Sequence, residues 1–251
     1  MKYFFGLLLF TSLANAAPIA PAPIPGGFVP SGNVRVFLRQ EELAYYAEIA
    51  AASETDGRQV EELTAGAYYQ LWDHLKVGAF YRRAYGLRHD ADWVNTGPGQ
   101  WSWENTNGRG ENFFILDATP KLQLSFLPSG NWVGELKVRL LNDFFNHQDT
   151  LFVRPGLTYF LLKDERPFIN FFLQYELDFP LNYGVRTVYD QWIYLGALHP
   201  LTHSFNLGAY GALNWETWGN TQSFVTLGGT PYAFTTQTFV VGVVGVLQFD
   251  L

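Results

Sequence analysis

The stretch "PFINFFLQYELDFP", residues Pro167 to Pro180, decides the fold. Apolar side chains recur at every second position from Ile169 to Phe179. The positions between them include four polar side chains: Asn170, Gln174, Glu176 and Asp178. Strict alternation is typical of a β-strand with two different faces. Because strands of soluble proteins usually stop at about five or six residues, this one is unusually long.

Similar alternation recurs along most of the chain. We identify ten segments: Leu38–Glu54, Val60–Leu71, Leu75–Arg88, Glu111–Leu127, Trp132–Asn146, Leu151–Lys163, Pro167–Pro180, Val188–His199, Ser204–Glu216 and Gln237–Leu251. The first segment also fits a helix, although the turn signature at residues 55–58 favours a hairpin. The pattern therefore predicts an all-β chain of about ten antiparallel strands, with eight or twelve as alternatives.

The connections predict which way the strands run. Short turns such as residues 72–74 and 128–131 follow the even segments, whereas the two longest loops, 89–110 and 217–235, follow odd ones. Short turns at one end and long loops at the other are typical of outer-membrane barrels. An even strand count also predicts that both chain ends lie on the periplasmic side.

Composition limits the function classes. The chain has 251 residues, 18% aromatic and 16% charged, with a net charge of −7 and a pI of about 5.2. An acidic chain without a basic cluster gives no reason to expect nucleic acid as a partner. The chain contains no cysteine, and no segment reaches the roughly 18 apolar residues that a membrane-spanning helix needs.

The N-terminal region predicts export. "MKYFFGLLLFTSLANAA" combines a lysine, an apolar run and a small-residue site at Ala14–Ala16, which predicts a signal peptide at 1–16. Residues 17–33 are rich in proline and predict an extended linker. Residues 34–251 are then the barrel. The alternative is an uncleaved N-terminal anchor.

Long two-faced strands fit a closed barrel in lipid. Inside a bilayer every backbone polar group must be paired within the protein, which a closed sheet achieves. The apolar faces would contact acyl chains, and the charged faces would line the interior. Aromatic residues near both strand ends suit membrane interfaces: Trp72, Phe126, Trp132, Phe160, Tyr81, Tyr85, Trp215 and Trp218. The alternative is a soluble secreted β-barrel binding protein with its apolar faces inward.

The C-terminal stretch carries a family resemblance. "TFVVGVVGVLQFDL" alternates apolar residues from Phe239 to Leu251, and Phe249 lies two residues before the end. It resembles the final strand of small, porin-like outer-membrane β-barrel proteins of bacteria. The resemblance implies location in the outer membrane of a Gram-negative bacterium. It also implies two partners, the outer-membrane lipid and the outer-membrane insertion machinery, which recognises such a strand.

The inward positions of the predicted barrel carry charges of both signs. The predicted lumen-lining residues are Arg82, Glu111, Asp117, Lys121, Glu135, Lys137, Arg139, Arg154, Glu176 and Asp178. Such charges must be paired when they are enclosed. They predict either an ion-paired plug or a narrow water-filled path that sets ion preference. The favoured function is therefore a porin-like or structural, surface-contact role with a narrow charge-lined lumen.

Catalytic and metal motifs are weak in this sequence. It has no phosphate loop, zinc spacing or nucleophile elbow, so we predict no cofactor, no metal and no enzyme. The alternative is a rim enzyme acting on lipid or peptide, with His89 beside Asp90, or His147 near Asp149, as base. The pair His199 and His203 brackets a predicted turn and is a weak metal candidate.

Four predicted lipid-facing positions do not suit lipid: Arg83, Pro120, Pro155 and Gln191. Positions of this kind are also found where barrels pack against each other. They provide a further hypothesis, a homo-oligomer.

Overall fold

The computed structural model describes residues 26–87, 93–97, 100–103, 108, 110–182, 190–219 and 233–251. These residues form a closed barrel of eleven strands and a separate two-stranded hairpin. The all-β barrel is confirmed, with eleven strands where about ten were expected. In the described residues, no helix has the length and apolar character needed to cross a membrane.

The barrel strands follow the chain around the wall, apart from the inserted hairpin. Their bounds are β1 Phe28–Gln40, β2 Leu43–Ser53, β3 Gln59–Trp72, β4 Leu75–Tyr85, β7 Glu111–Gln123, β8 Trp132–Asp143, β9 Gln148–Lys163, β10 Arg166–Pro180, β11 Asp190–Pro200, β12 Phe205–Gly219 and β13 Ala233–Asp250. The hairpin pairs β5 Trp93–Gly97 with β6 Gln100–Trp103, within the connection from β4 to β7.

Neighbouring barrel strands are antiparallel, except at the closing seam. There β1 pairs with β13 in parallel, from Phe28 opposite Phe239 to Arg39 opposite Asp250. With an odd strand count, β1 begins at one end of the barrel and β13 finishes at the other. The start of β1 and the end of β13 therefore lie at opposite ends of the barrel, not at one end as the even strand count predicted.

The miscount has a local cause in the first predicted segment, Leu38–Glu54. The structure divides it between the end of β1 and all of β2, joined at Glu41, whose φ of 53° makes a sharp reversal. Strand β1 itself begins at Phe28, inside the proline-rich segment expected as a linker. Val29, Asn33 and Arg35 face inward here, because β1 alternates like the other strands.

The two ends of the barrel differ in their connections. We call the end that carries residues 41–42, 73–74, 124–131, 164–165 and 201–204 the turn end. The opposite end, which carries the two longest connections, 86–110 and 220–232, is the loop end. At the turn end, Asp164 and Glu165 have φ values of 52° and 61°. Positive φ at both residues is what a two-residue type I′ hairpin turn requires.

Glycines make room for aromatic rings inside the barrel. Gly78 lies opposite Tyr68, and a Cβ on Gly78 would come within 2.9 Å of the Tyr68 ring. Gly242 lies opposite Tyr210 in the same way. An added side chain would collide with the ring, so these glycines allow large rings to fill a narrow interior.

Candidate functional site in the barrel interior

The two faces of the barrel have opposite chemistry. Every one of the eleven barrel strands exposes at least one large apolar side chain on its outer face. One example from each strand is Val34, Ile49, Leu63, Tyr81, Leu116, Leu136, Leu161, Leu173, Leu195, Leu207 and Val243. The interior-facing positions hold most of the buried polar and charged groups, including Glu111, Asp117, Asp143 and Asp178.

One side of the interior is filled. We call the interior faces of β3, β4, β7 and β8 the packed wall, where Tyr68, Phe80, Phe113, Ile115 and Leu141 form a buried cluster. The rings of Tyr68 and Phe80 meet edge to face, with centroids 4.7 Å apart. This arrangement is favourable for aromatic pairs and closes this half of the interior.

Asp117 is the centre of the charge network on the packed wall. Its fully buried carboxylate lies 3.5 Å from Lys137 Nζ and 3.4 Å from Arg139 Nη2. The Tyr68 hydroxyl also donates to Asp117, at 3.4 Å. The Lys76 ammonium lies over the Tyr68 ring, 4.1 Å from its centroid. Two cations therefore share the single carboxylate of Asp117, and a third contacts an aromatic ring.

The other side of the interior holds a cavity of about 670 Å³. The cavity extends from Glu54 and Asp190, at the loop end, to Asn170 and Leu198, toward the turn end. Six carboxylates and four basic side chains line it, so its lining has an acidic excess: Glu48, Glu54, Glu62, Glu176, Asp178, Asp190, Arg35, Arg82, Lys121 and Arg154. A volume of this size falls in the range of small-ligand pockets.

Most of the charges around the cavity are paired between neighbouring strands. Arg35 Nε contacts Glu48 Oε1 at 2.9 Å, and the Tyr46 hydroxyl donates to the other oxygen of Glu48. Three longer pairs follow around the barrel, Arg82 with Glu62 at 3.5 Å, Lys121 with Glu135 at 3.4 Å and Arg154 with Glu176 at 3.4 Å. Cross-strand pairs of this kind stabilise the sheet and hold the long side chains against the wall.

A different arrangement is found on the acidic wall, the interior faces of β10, β11 and β12. Asp178 of β10 lies directly opposite Asp190 of β11 in the strand register. Asp190 accepts hydrogen bonds from Trp192 Nε1 at 2.7 Å and from Asn214 Nδ2. Asp178 is only 6% exposed, and among the described residues its Oδ1 has no hydrogen-bond partner. Asp178 differs from Asp117 and Glu176 because no basic side chain of the described residues forms an ion pair with it.

All ten predicted lumen residues lie on the interior-facing side of their strands. Five of them line the cavity, namely Arg82, Lys121, Arg154, Glu176 and Asp178. The other five are Glu111, Asp117, Glu135, Lys137 and Arg139; two of these, Glu111 and Asp117, are buried. One side of the interior is thus filled and ion-paired, and the other side holds a charge-lined cavity.

Sequence reasoning missed several residues of the cavity. Arg35 lies in β1, which the pattern did not identify as a strand. Asp190, Trp192 and Tyr194 lie on alternate positions of β11, and that alternation was the available signal. The strand was identified from its sequence, but its two faces were not assigned. Phe160 was predicted to lie at the membrane interface but lines the cavity.

The histidines singled out in the sequence contact neighbouring residues where they are described. The His147 carbonyl accepts from Asn182 Nδ2 at 3.1 Å, while Asp149 accepts from Asn142 and Asn182. A ring nitrogen of His199 bonds the Phe168 carbonyl at 2.6 Å. His89 and Asp90 lie outside the described residues. In the described part, no group of three or more His, Cys, Asp or Glu side chains could hold a metal ion.

Two of the polar outer-face residues have partners on the same face. Arg83 Nε donates to the Tyr85 hydroxyl at 2.6 Å, and the Tyr175 hydroxyl donates to Gln191 at 2.8 Å. Both contacts lie near the loop end. The homo-oligomer stays a prediction.

No protein-family model matches the chain, and no curated protein matches it either. The function proposed below therefore depends on the residues and geometry described above.

Proposed function

We propose that the chain is an integral β-barrel protein of a bacterial outer membrane, with a porin-like or surface-contact role and a narrow charge-lined lumen. The observation that carries this proposal is the inversion of the two faces. Large apolar side chains are exposed on all eleven strands, while charged side chains lie inside and are mostly paired. A soluble barrel would have the reverse arrangement, because water favours charge outside.

The extent of the apolar surface supports a lipid environment. Soluble monomers rarely expose an apolar patch larger than roughly 300–600 Å². Here the exposed apolar side chains continue around the complete wall, from Val34 of β1 to Val243 of β13. The alternative of a soluble secreted binding protein would leave this band in water.

The height of the band also fits a membrane. On β13 the outer face is apolar from Phe239 to Phe249. For a tilted strand, ten residue steps correspond to a height of about 25 Å, which is the height of the apolar band in outer-membrane barrels. Outward charged residues of the described strands lie near the strand ends: Glu61, Arg83 and Asp149 lie near the loop end, and Lys163 lies at the turn end.

Strand number and interior filling support a narrow lumen. Barrels of about eight strands are filled by side chains, whereas those of sixteen or more enclose wide channels. With eleven strands and one packed wall, the described residues enclose a cavity beside the acidic wall. The proposed lumen is therefore too narrow for free diffusion of large nutrients, and it suits the passage or binding of small solutes.

Membrane fractionation tests the location, and conductance tests the role. We expect the chain to co-purify with outer membranes, to need detergent for extraction, and to migrate differently on a gel before and after boiling. Small, discrete conductance steps in a planar bilayer would favour a pore, and their absence would favour surface contact. Recovery in the soluble periplasmic fraction without detergent would contradict the membrane proposal.

A further inference from the structure

Asp178 is a buried carboxyl group for which the described residues supply no ion pair. It lines the cavity and is 6% exposed, and its Oδ1 atom has no hydrogen-bond partner in the described part of the chain. Burying an unpaired carboxylate is costly, so buried charges are normally paired or bind a counter-ion. A positive group that enters the cavity would remove this cost.

The neighbours of Asp178 strengthen the negative field instead of neutralising it. Asp190 lies directly opposite in the register, and its hydrogen bonds come from the neutral groups of Trp192 and Asn214. Glu176 lies two residues before Asp178 on the same strand. The adjacent basic side chain, Arg154, already pairs with Glu176 at 3.4 Å.

Two aromatic residues of β11 lie beside the carboxylates of Asp178 and Asp190. Trp192 and Tyr194 both line the cavity and stack on each other, with centroids 5.5 Å apart and an interplanar angle of 10°. Aromatic faces attract organic ammonium groups through the negative charge of the ring face. A carboxylate next to an indole therefore suits a soft organic cation, which carries apolar carbon around its charge.

We propose that Asp178, Asp190 and Trp192 form a binding site for the ammonium group of a small organic cation. The site deepens the proposed function and rests on its cavity, because it names the class of solute that this cavity selects. A volume of about 670 Å³ accommodates such a molecule, and the acidic excess of the lining favours a positive charge.

Calorimetric titration of the detergent-solubilised full chain tests this site, with choline chloride as the probe. A neutral isostere, in which a tert-butyl group replaces the trimethylammonium group, controls for apolar binding. We expect saturable binding of choline and at least about tenfold weaker binding of the isostere, because only choline can neutralise Asp178. Equal binding of the two compounds, or no binding of choline, would overturn the site.

Variants test the assigned residues. Asp178→Asn keeps the shape but removes the charge, and we expect it to weaken choline binding by about tenfold or more. Glu135→Gln is the matched control, because Glu135 faces inward but pairs with Lys121 at 3.4 Å. We expect the choline affinity of this variant to equal that of the unmodified chain. Equal loss in both variants, or none in Asp178→Asn, would contradict the assignment. If Asp178→Asn fails to fold, the comparison of choline with its isostere on the unmodified chain still tests whether the cavity selects a positive charge.

Failure of the site and failure of the membrane proposal are distinguishable. A chain that fractionates with the outer membrane but binds no choline would refute the site alone. A chain that is soluble without detergent but binds choline through Asp178 would refute the membrane location alone.

Discussion

On the packed wall, Asp117 is surrounded by Lys137, Arg139 and the Tyr68 hydroxyl, whereas on the acidic wall Asp178 lies opposite a second carboxylate. Both carboxylates are almost fully buried and both face inward. Asp117 is paired with cations, whereas the described residues supply no ion pair for Asp178. The comparison predicts that the packed wall contributes to stability, and the site proposed above places binding at the acidic wall.

Substitution of Asp117 should disrupt the ion pairs of the packed wall and cause the largest loss in the free energy of unfolding. Asp117→Asn leaves the buried cations Lys137 and Arg139 without their shared counter-charge. Removing one partner of a buried ion pair typically costs about 3–5 kcal/mol. We expect a loss of that size in the free energy of unfolding, measured by urea titration in lipid vesicles.

The control for Asp117→Asn is Glu135→Gln. Glu135 pairs with Lys121, and the Lys121 side chain is 46% exposed. An exposed pair contributes only about 0–1 kcal/mol, so this variant should stay close to the unmodified chain. A loss for Glu135→Gln as large as that for Asp117→Asn would contradict the distinction between the walls.

A charge on the outside of the acidic wall should have the next largest effect. Leu195 lies on the outer face of β11 and is 63% exposed. Leu195→Arg should lower the free energy of unfolding in vesicles by about 2–4 kcal/mol, the cost of arginine at the centre of a bilayer. Leu201→Arg, in the turn that follows β11, is the control and should cost much less. Equal stability of the two variants would mean that Leu195 faces water.

Substitution of Asp178 should have the smallest effect on stability and the opposite sign to that of Asp117. Asp178→Asn removes an uncompensated charge, so we expect the free energy of unfolding without ligand to stay constant or rise by about 1 kcal/mol. Asp190→Asn is the matched control. It disturbs the bonds from Trp192 and Asn214 and should cost about 1–3 kcal/mol. A larger loss for Asp178→Asn than for Asp190→Asn would show that Asp178 is structurally paired.

The sequence predicted the fold well because period-two alternation directly reflects the two faces of a strand. Pro167–Pro180 became β10, and the turn at residues 164–166 was found from its residues. Strand β1 was not predicted because Pro30 and the prolines before it suggested a linker. With β1 the strand count is odd, so the start of β1 and the end of β13 lie at opposite ends of the barrel.

The candidate site could be predicted only in part. Asp178 and Glu176 were identified because they alternate with apolar residues. Their proximity to Asp190 and Trp192 depends on the register between β10 and β11. The sequence of a single strand does not determine that register. The inward position of Tyr194 was not predicted, because alternation separates two faces but does not say which aromatic residues face the interior.

The parallel seam between β1 and β13 has a practical consequence for labelling and engineering. Phe28 and Leu251 lie at opposite ends of the barrel. If the barrel spans a membrane as proposed, epitopes fused just before the one and just after the other would report on opposite compartments. A circularly permuted version would need a connector as long as the barrel itself, whereas barrels with an even number of strands can join their termini by a short one.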